Sequence, residues 1–471
     1  MIRPLLLRAS SALCLCALLA SVTGAQEWPG HRGGPARTGS VDGKPGPATP
    51  KILWSYASKE HFLAPTAVGA DRLLVVAMGA FNSGSVRAFG ALDGKPVWNK
   101  SAPLVRLPTV GTPAVVGGML YLGEGMHQTD GSSLHAMRAA DGRSLWRLEV
   151  PGELVHIEAS PSVVDGRVYV GAGSGGVLCA DGARVTLEGK ELPLAEAAAA
   201  VDAKWKVLVD AYEKDKKKDP DFAIPPNEAT LPCPAPKLVW EKGKGAWHVD
   251  APVLAVKDRV YVASAFLDKE QKGVRALFCL NAADGAELWK APLALNAWGG
   301  ATLAGDLLLV PCSSIRYDAK ELPDAKGEIV AIKAADGGVA WRRPTSGAVL
   351  ATLAAVGDLA IACDTSGQVT AMDVKTGQPK WTSKTGHPYF AGAAAAGDVV
   401  YTADIEGVLH ALGLADGKKR WSLDVAAELK APGMVYGGPA LHGGRIYLAT
   451  ANLEGKAAGG ATAVVCIGEG K

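Results

Sequence analysis

Six times this chain places a Trp four residues after a turn glycine, and that offset restricts its fold more than any other feature. The copies are VRAFGALDGKPVW (86–98), LHAMRAADGRSLW (134–146), LFCLNAADGAELW (277–289), VAIKAADGGVAW (330–341), VTAMDVKTGQPKW (369–381) and LHALGLADGKKRW (409–421). Each consists of two short apolar runs joined by Asp-Gly or Thr-Gly, which supplies the positive φ of a tight turn. Each phrase therefore reads as a β-hairpin.

Two further copies are broken. GGVLCADG (175–182) opens one whose Trp arrives only in PKLVW (236–240), after an insertion. PKILW (50–54) is a tail without a head, and TAVVCIG (462–468) is a head without a tail; joined, they make one more copy. The Trp set is thus Trp54, Trp98, Trp146, Trp240, Trp289, Trp341, Trp381 and Trp421. Outside the insertion these lie 40 to 52 residues apart, and another pair of apolar runs precedes each phrase, as in SPSVVDGRVYVG (160–171). Four short strands in such a period make one propeller blade. The sequence predicts an all-β, eight-bladed β-propeller of four-stranded blades over residues 50–471. Pairing of N-terminal with C-terminal strands closes it, and a Trp wedges each blade to the next.

The most intact copy, AMDVKTGQPKW (371–381), resembles the tryptophan-docking repeat of pyrroloquinoline-quinone-like, quinoprotein-type propellers. EWPGHRGGPARTG (27–39) is similar to the W-P-x-x-R-G-P opening of secreted members of that family. The resemblance covers residues 27–471 apart from the insertion, and it is specific for fold. For function it implies two different roles. Some relatives are quinone-dependent dehydrogenases of alcohols or sugars, and others, such as the propeller lipoprotein of the outer-membrane β-barrel assembly machinery, are scaffolds without a cofactor.

The first residues carry Arg3 and Arg8 ahead of an apolar run that ends in Thr23-Gly24-Ala25. This pattern predicts a signal peptide over 1–25, cleaved to give a periplasmic or secreted protein with no transmembrane segment. Leu13 and Leu15 precede Cys14 and Cys16, where a lipidation signal wants a small residue. Without the leader the 49 Lys and Arg fall to 47 (49 − 2), equal to the 47 Asp and Glu. A balanced charge gives no long-range pull on nucleic acid. The expected partner is a protein, peptide or glycan, bound by a monomer.

Residues 26–49 read as an extended segment and 183–236 as a helical, Pro-rich insertion. Within it Leu194, Val201, Trp205, Leu208 and Tyr212 recur at helical spacing. Cys279 and Cys466 occupy a repeat slot held elsewhere by Ala and read as small buried fillers. Cys179 and Cys233 flank the insertion, so a disulfide clasp across its base is one expectation.

An Ala-Pro, Thr-Pro or Ser-Pro step (64–65, 112–113, 160–161, 251–252) marks the start of four innermost strands, and the segments leading into the innermost strands ring one mouth of the channel. From these segments the ligand-binding candidates are His61, Phe62, Glu158, His248, Asp250, Trp298, Tyr389 and Tyr436, with the 313–327 loop bordering the same face. No catalytic residue is expected, since serine-nucleophile and phosphate-loop motifs are missing. His61, His156, His248 and His387 come from the first, third, fourth and seventh blades. Zinc needs its ligands within about 2.1 Å of the ion, so no metal and no cofactor are expected. The alternative is a quinone stacked on a flat aromatic floor such as Trp298, beside Ca²⁺ held partly by Glu158 and Asp250. The sequence thus predicts an exported, non-catalytic binding or scaffold protein of the cell envelope, with a quinone-dependent dehydrogenase as the second reading.

Overall fold

The structure, a computed structural model, describes residues 28–470 except 42, 70, 128, 431, 432 and 455–457. The leader expected over 1–25 lies outside the described residues. Eight antiparallel sheets follow one another along the chain, each a meander from a short innermost strand outward. The innermost strands, such as Ala114–Val116, Thr302–Ala304 and Ala394–Ala396, touch their counterparts in neighbouring blades around the axis. The last sheet differs. Its outermost strand is Pro50–Ser58, which pairs with Thr462–Glu469 and sets Trp54 opposite Cys466 and Tyr56 opposite Val464. The ring is closed by a blade drawn from both ends of the described chain, as the split repeat predicts.

The recurring Trp ties each blade to the next. Seven of the eight indoles donate Nε1–H to a backbone carbonyl of the next blade or of the segment leading into it. The acceptors are those of Ala91, Ala139, Ala282, Ala334, Val374, Leu414 and Pro47, at 2.8 to 3.2 Å. The ring itself lies on the turn glycine of that blade. At Gly94, Gly142, Gly285, Gly337, Gly377 and Gly417 an added Cβ would come within 2.3 to 2.8 Å of the preceding blade's indole. The same glycines sit at φ between +67° and +77°. The turn needs glycine for its backbone, and the neighbouring Trp needs it for contact.

Trp146 is the exception, because the blade after it carries the insertion. Asp181-Gly182 is not a hairpin tip here. The strand Val177–Leu187 runs on through it, pairs with Lys190–Pro193, and leads into the helix Leu194–Lys218. Trp146 is fully buried against Val185, Leu187, Ala197 and Val201, and its Nε1 has no acceptor among the described residues. The helix buries only Ala197 and Val201, in its N-terminal half. Farther along, Trp205 stacks on the Arg143 guanidinium at 4.4 Å. The insertion therefore packs on the rim, covering an indole that a turn glycine covers elsewhere.

Among the described residues all six cysteines are free. Cys279 and Cys466 are buried fillers, as the repeat slot implies. The clasp between Cys179 and Cys233 does not form. Cys179 lies in the core of its blade opposite Trp240, whereas Cys233 sits beside Ser144 of the preceding blade.

The segment after Trp28 does more than lead into the propeller. Trp28 pairs with Val68, and the carbonyls of Pro29, Ala36, Thr38 and Gly39 accept from Val115, Leu303, Ala355 and Ala395. Arg37 Nη2 donates to the carbonyls of Ser160 and Val253 and to Ser162 Oγ, and Arg32 Nη2 to the carbonyl of Ala393. These partners belong to the innermost strands of seven blades or the segments entering them. The chain thus crosses the channel as a plug, then leaves past Tyr401 and Trp421 to become the outermost strand of the eighth blade. The extended segment read from the sequence is a floor.

Candidate functional site

Above this plug lies a cavity of about 320 Å³. Its floor is His31 and Arg32. His31 bridges the channel from Thr352 Oγ1 (2.8 Å) to Thr112 Oγ1 (3.4 Å), and burial, with Arg37 and Arg32 nearby, holds its pKa well below the usual histidine range. The walls are the segments leading into the innermost strands, which contribute Leu63, Glu158, Asp250, Trp298 and Tyr436. The 313–327 loop adds Arg316 and Tyr317.

Of the eight candidates read from the sequence, Glu158, Asp250, Trp298 and Tyr436 line the cavity, and His248 lies buried behind Asp250. Phe62, Tyr389 and His61 do not line it. Extended chain points successive side chains to opposite sides, so Phe62 enters the core where Leu63 faces the cavity. Ile157 and Val249 are likewise buried beside Glu158 and Asp250. Tyr389 is buried with its hydroxyl between Thr385 Oγ1 (2.7 Å) and Thr402 Oγ1 (3.1 Å). His61 accepts the Asn452 N–H through Nδ1, off the cavity.

The polar centre of the wall is Asp250. Its Oδ1 lies 3.0 Å from His156 Nε2, and its Oδ2 lies 3.0 Å from His248 Nε2. Burial alone would raise the Asp250 pKa, but the two imidazoles outweigh it and hold the carboxyl well below the carboxylate range. Glu158 moves the other way, pushed up by burial and by the Asp250 charge. Burial lowers His156, and the Asp250 carboxylate more than reverses that. Of the four ring histidines, most of which were expected not to converge, His156 and His248 meet because the segments entering the third and fourth blades run side by side. His387 is exposed.

A third imidazole joins them. His127 packs edge-on to His156 and His248, with ring centres 5.9 and 6.4 Å away. Its Nε2 lies 2.8 Å from Arg316 Nη1, and the Arg316 guanidinium sits 5.4 Å over the Trp298 ring. Sequence reasoning missed His127 and had Arg316 only within the 313–327 loop expected at this face; both stand in loops between the second and third strands of their blades. The only signal for His127 was the length of that connection, from Gly123 to Ser132.

The sequence profile of a family described as outer membrane protein assembly factor BamB matches residues 46–209 and 384–464. No curated protein sequence matches. Among solved structures, BamB from Moraxella catarrhalis is similar at 16% identity and a TM-score of 0.56, covering 88% of this chain and 97% of that one. A europium-containing methanol dehydrogenase shares 12% identity with a TM-score of 0.62 over 94% of this chain and 98% of that one. A quinohemoprotein alcohol dehydrogenase from Pseudomonas putida HK5 shares 12% identity at a TM-score of 0.60, covering 94% and 80%. At these identities the structural likeness is one of fold.

Proposed function

The chain belongs to the pyrroloquinoline-quinone-like propeller family that the BamB profile describes, and from that premise we propose that it is an exported, non-catalytic binding protein of the cell envelope. The observation that carries this reading is the cavity: preformed, mainly apolar in its walls, open at one mouth and sealed below by the chain's own N-terminal segment. Concave apolar sites with a few convergent polar groups are where ligands bind. Here those groups are Arg316, Tyr436 and Glu158, suited to a peptide end, a protein loop or a glycan.

The dehydrogenase reading asks for a quinone and Ca²⁺, and the residues do not fit that pair. Ca²⁺ takes six to eight oxygens. Both Asp250 oxygens are engaged by imidazole nitrogens, and Glu158 accepts the backbone N–H of His127. Trp298 is a wall whose ring carries a guanidinium, and the floor is His31 and Arg32. Among the described residues, no helix is long and apolar enough to cross a membrane.

Peptide and glycan arrays probed with the purified protein test the reading. Binding that Arg316→Ala abolishes, in protein that thermal unfolding shows to be folded, is the expected result. Dye-linked oxidation of alcohols or sugars after addition of pyrroloquinoline quinone and Ca²⁺ would overturn it.

A further inference from the structure

We propose that His127, His156, His248 and Asp250 bind a divalent transition-metal ion of the zinc class in the wall of the channel mouth. One donor atom from each residue lies within 4.8 Å of the other three. The inner part of the set is close to closed, with both Asp250 oxygens 3.0 Å from an imidazole Nε2. Four donors around a tetrahedral zinc at about 2.1 Å stand about 3.4 Å from one another. The set as it stands spans up to 4.8 Å, so its donors close inward on the ion, and His127 stands in a loop.

The surroundings are shaped for these rings. His156 and His248 are fully buried, and three glycines clear the space around them. An added Cβ would lie 2.9 Å from His156 Cε1 at Gly173, 3.2 Å from His156 Cβ at Gly125, and 2.9 Å from His248 Cβ at Gly273. Ser174 Oγ lies 3.1 Å from His248 Nδ1, which fixes the ring with Nε2 toward Asp250. This is the outer partner that metal-binding imidazoles use to set their orientation. His127 Nε2 accepts from the Arg316 guanidinium, so its lone pair already receives a cationic group at this spot.

The donor types choose the ion. Three imidazoles and one carboxylate suit zinc and its neighbours, whereas Ca²⁺ and Mg²⁺ want oxygen throughout. Access is from the cavity, onto which His127 and Asp250 open with side-chain exposures of 25% and 12%.

Full-length protein stripped with a chelator is titrated calorimetrically with Zn²⁺ alone, and separately with Co²⁺ while visible absorption is followed. One ion per chain and the strong absorption of four-coordinate cobalt are expected. His127→Ala, in a loop that leaves the core untouched, should weaken binding at least about tenfold. Asp250→Asn, nearly isosteric, should weaken it further and dim the cobalt spectrum. Thermal unfolding of both variants without metal identifies folded protein. Absence of stoichiometric binding by the unaltered chain would overturn the proposal. So would affinities and cobalt spectra that both folded variants leave unchanged.

Discussion

Gly377 lies so close under Trp341 that a Cβ on it would stand 2.6 Å from the indole Cε3. The glycine belongs to the hairpin tip of one blade and the Trp to the outer strand of the blade before. The contact recurs at most blade junctions, so local turn chemistry and ring assembly meet in a single residue.

Gly377→Ala should therefore cost more than a left-handed backbone alone. The backbone term is about 1 kcal/mol, and forcing the ring aside adds about 1–3 kcal/mol. Gly189 also has positive φ, +80°, but nothing lies within 4 Å of its would-be Cβ. Gly189→Ala should lose only the backbone term. Guanidinium-chloride unfolding of the two variants compares them, and equal losses would remove the wedge.

The plug gives a second prediction. Arg37 is buried, burial pulls its guanidinium pKa down, and its compensation is the set of carbonyls from the third and fourth blades. Arg37→Met removes charged hydrogen bonds worth about 1.5–3 kcal/mol each and strands their acceptors. The expected outcome is a loss of about 2–4 kcal/mol, with new proteolytic cleavage between residues 28 and 49. Cleavage no faster than in the parent protein would count against the plug.

Acid sensitivity supplies a third. Glu124 is fully buried, and burial alone would raise its pKa. His135 and the N–H groups of Arg106 and Leu107 reverse that and hold it at about 2, from an ordinary 4.5. A carboxyl depressed in the folded state stabilises the fold above the unfolded value and loses that contribution as pH falls through the folded one. The loss runs between about pH 4.5 and 2 and amounts to about 3 kcal/mol in full. Denaturant titrations from pH 6 to 2.5 should show Glu124→Gln less stable at neutral pH, with the gap narrowing as acid is added. A gap independent of pH would sink this assignment.

Glu158 and Asp250 were legible as cavity residues because a Ser-Pro and an Ala-Pro step mark the strand starts beside them, and Trp298 and Tyr436 because they hold the matching place in their own repeats. Phe62, Tyr389 and His61 were misplaced, since a position near the mouth does not say which side of an extended segment faces in. His127 was invisible and Arg316 legible only as part of the 313–327 loop, because no local periodicity sets the path of such loops. The Asp181-Gly182 turn misled for a related reason: a strand with a bulge can run through a turn signal when the insertion offers it a longer partner.

By itself the sequence determined the eight blades, a Trp wedge between each blade and the next, and the shared closing blade. These follow from hairpin chemistry and a spacing repeated within a few dozen residues. Only the tertiary structure decided that residues 28–49 floor the channel, and that three histidines meet around Asp250. Both depend on contacts across the ring, between segments far apart in the chain, where distance is set by how the blades pack and no short-range pattern encodes it.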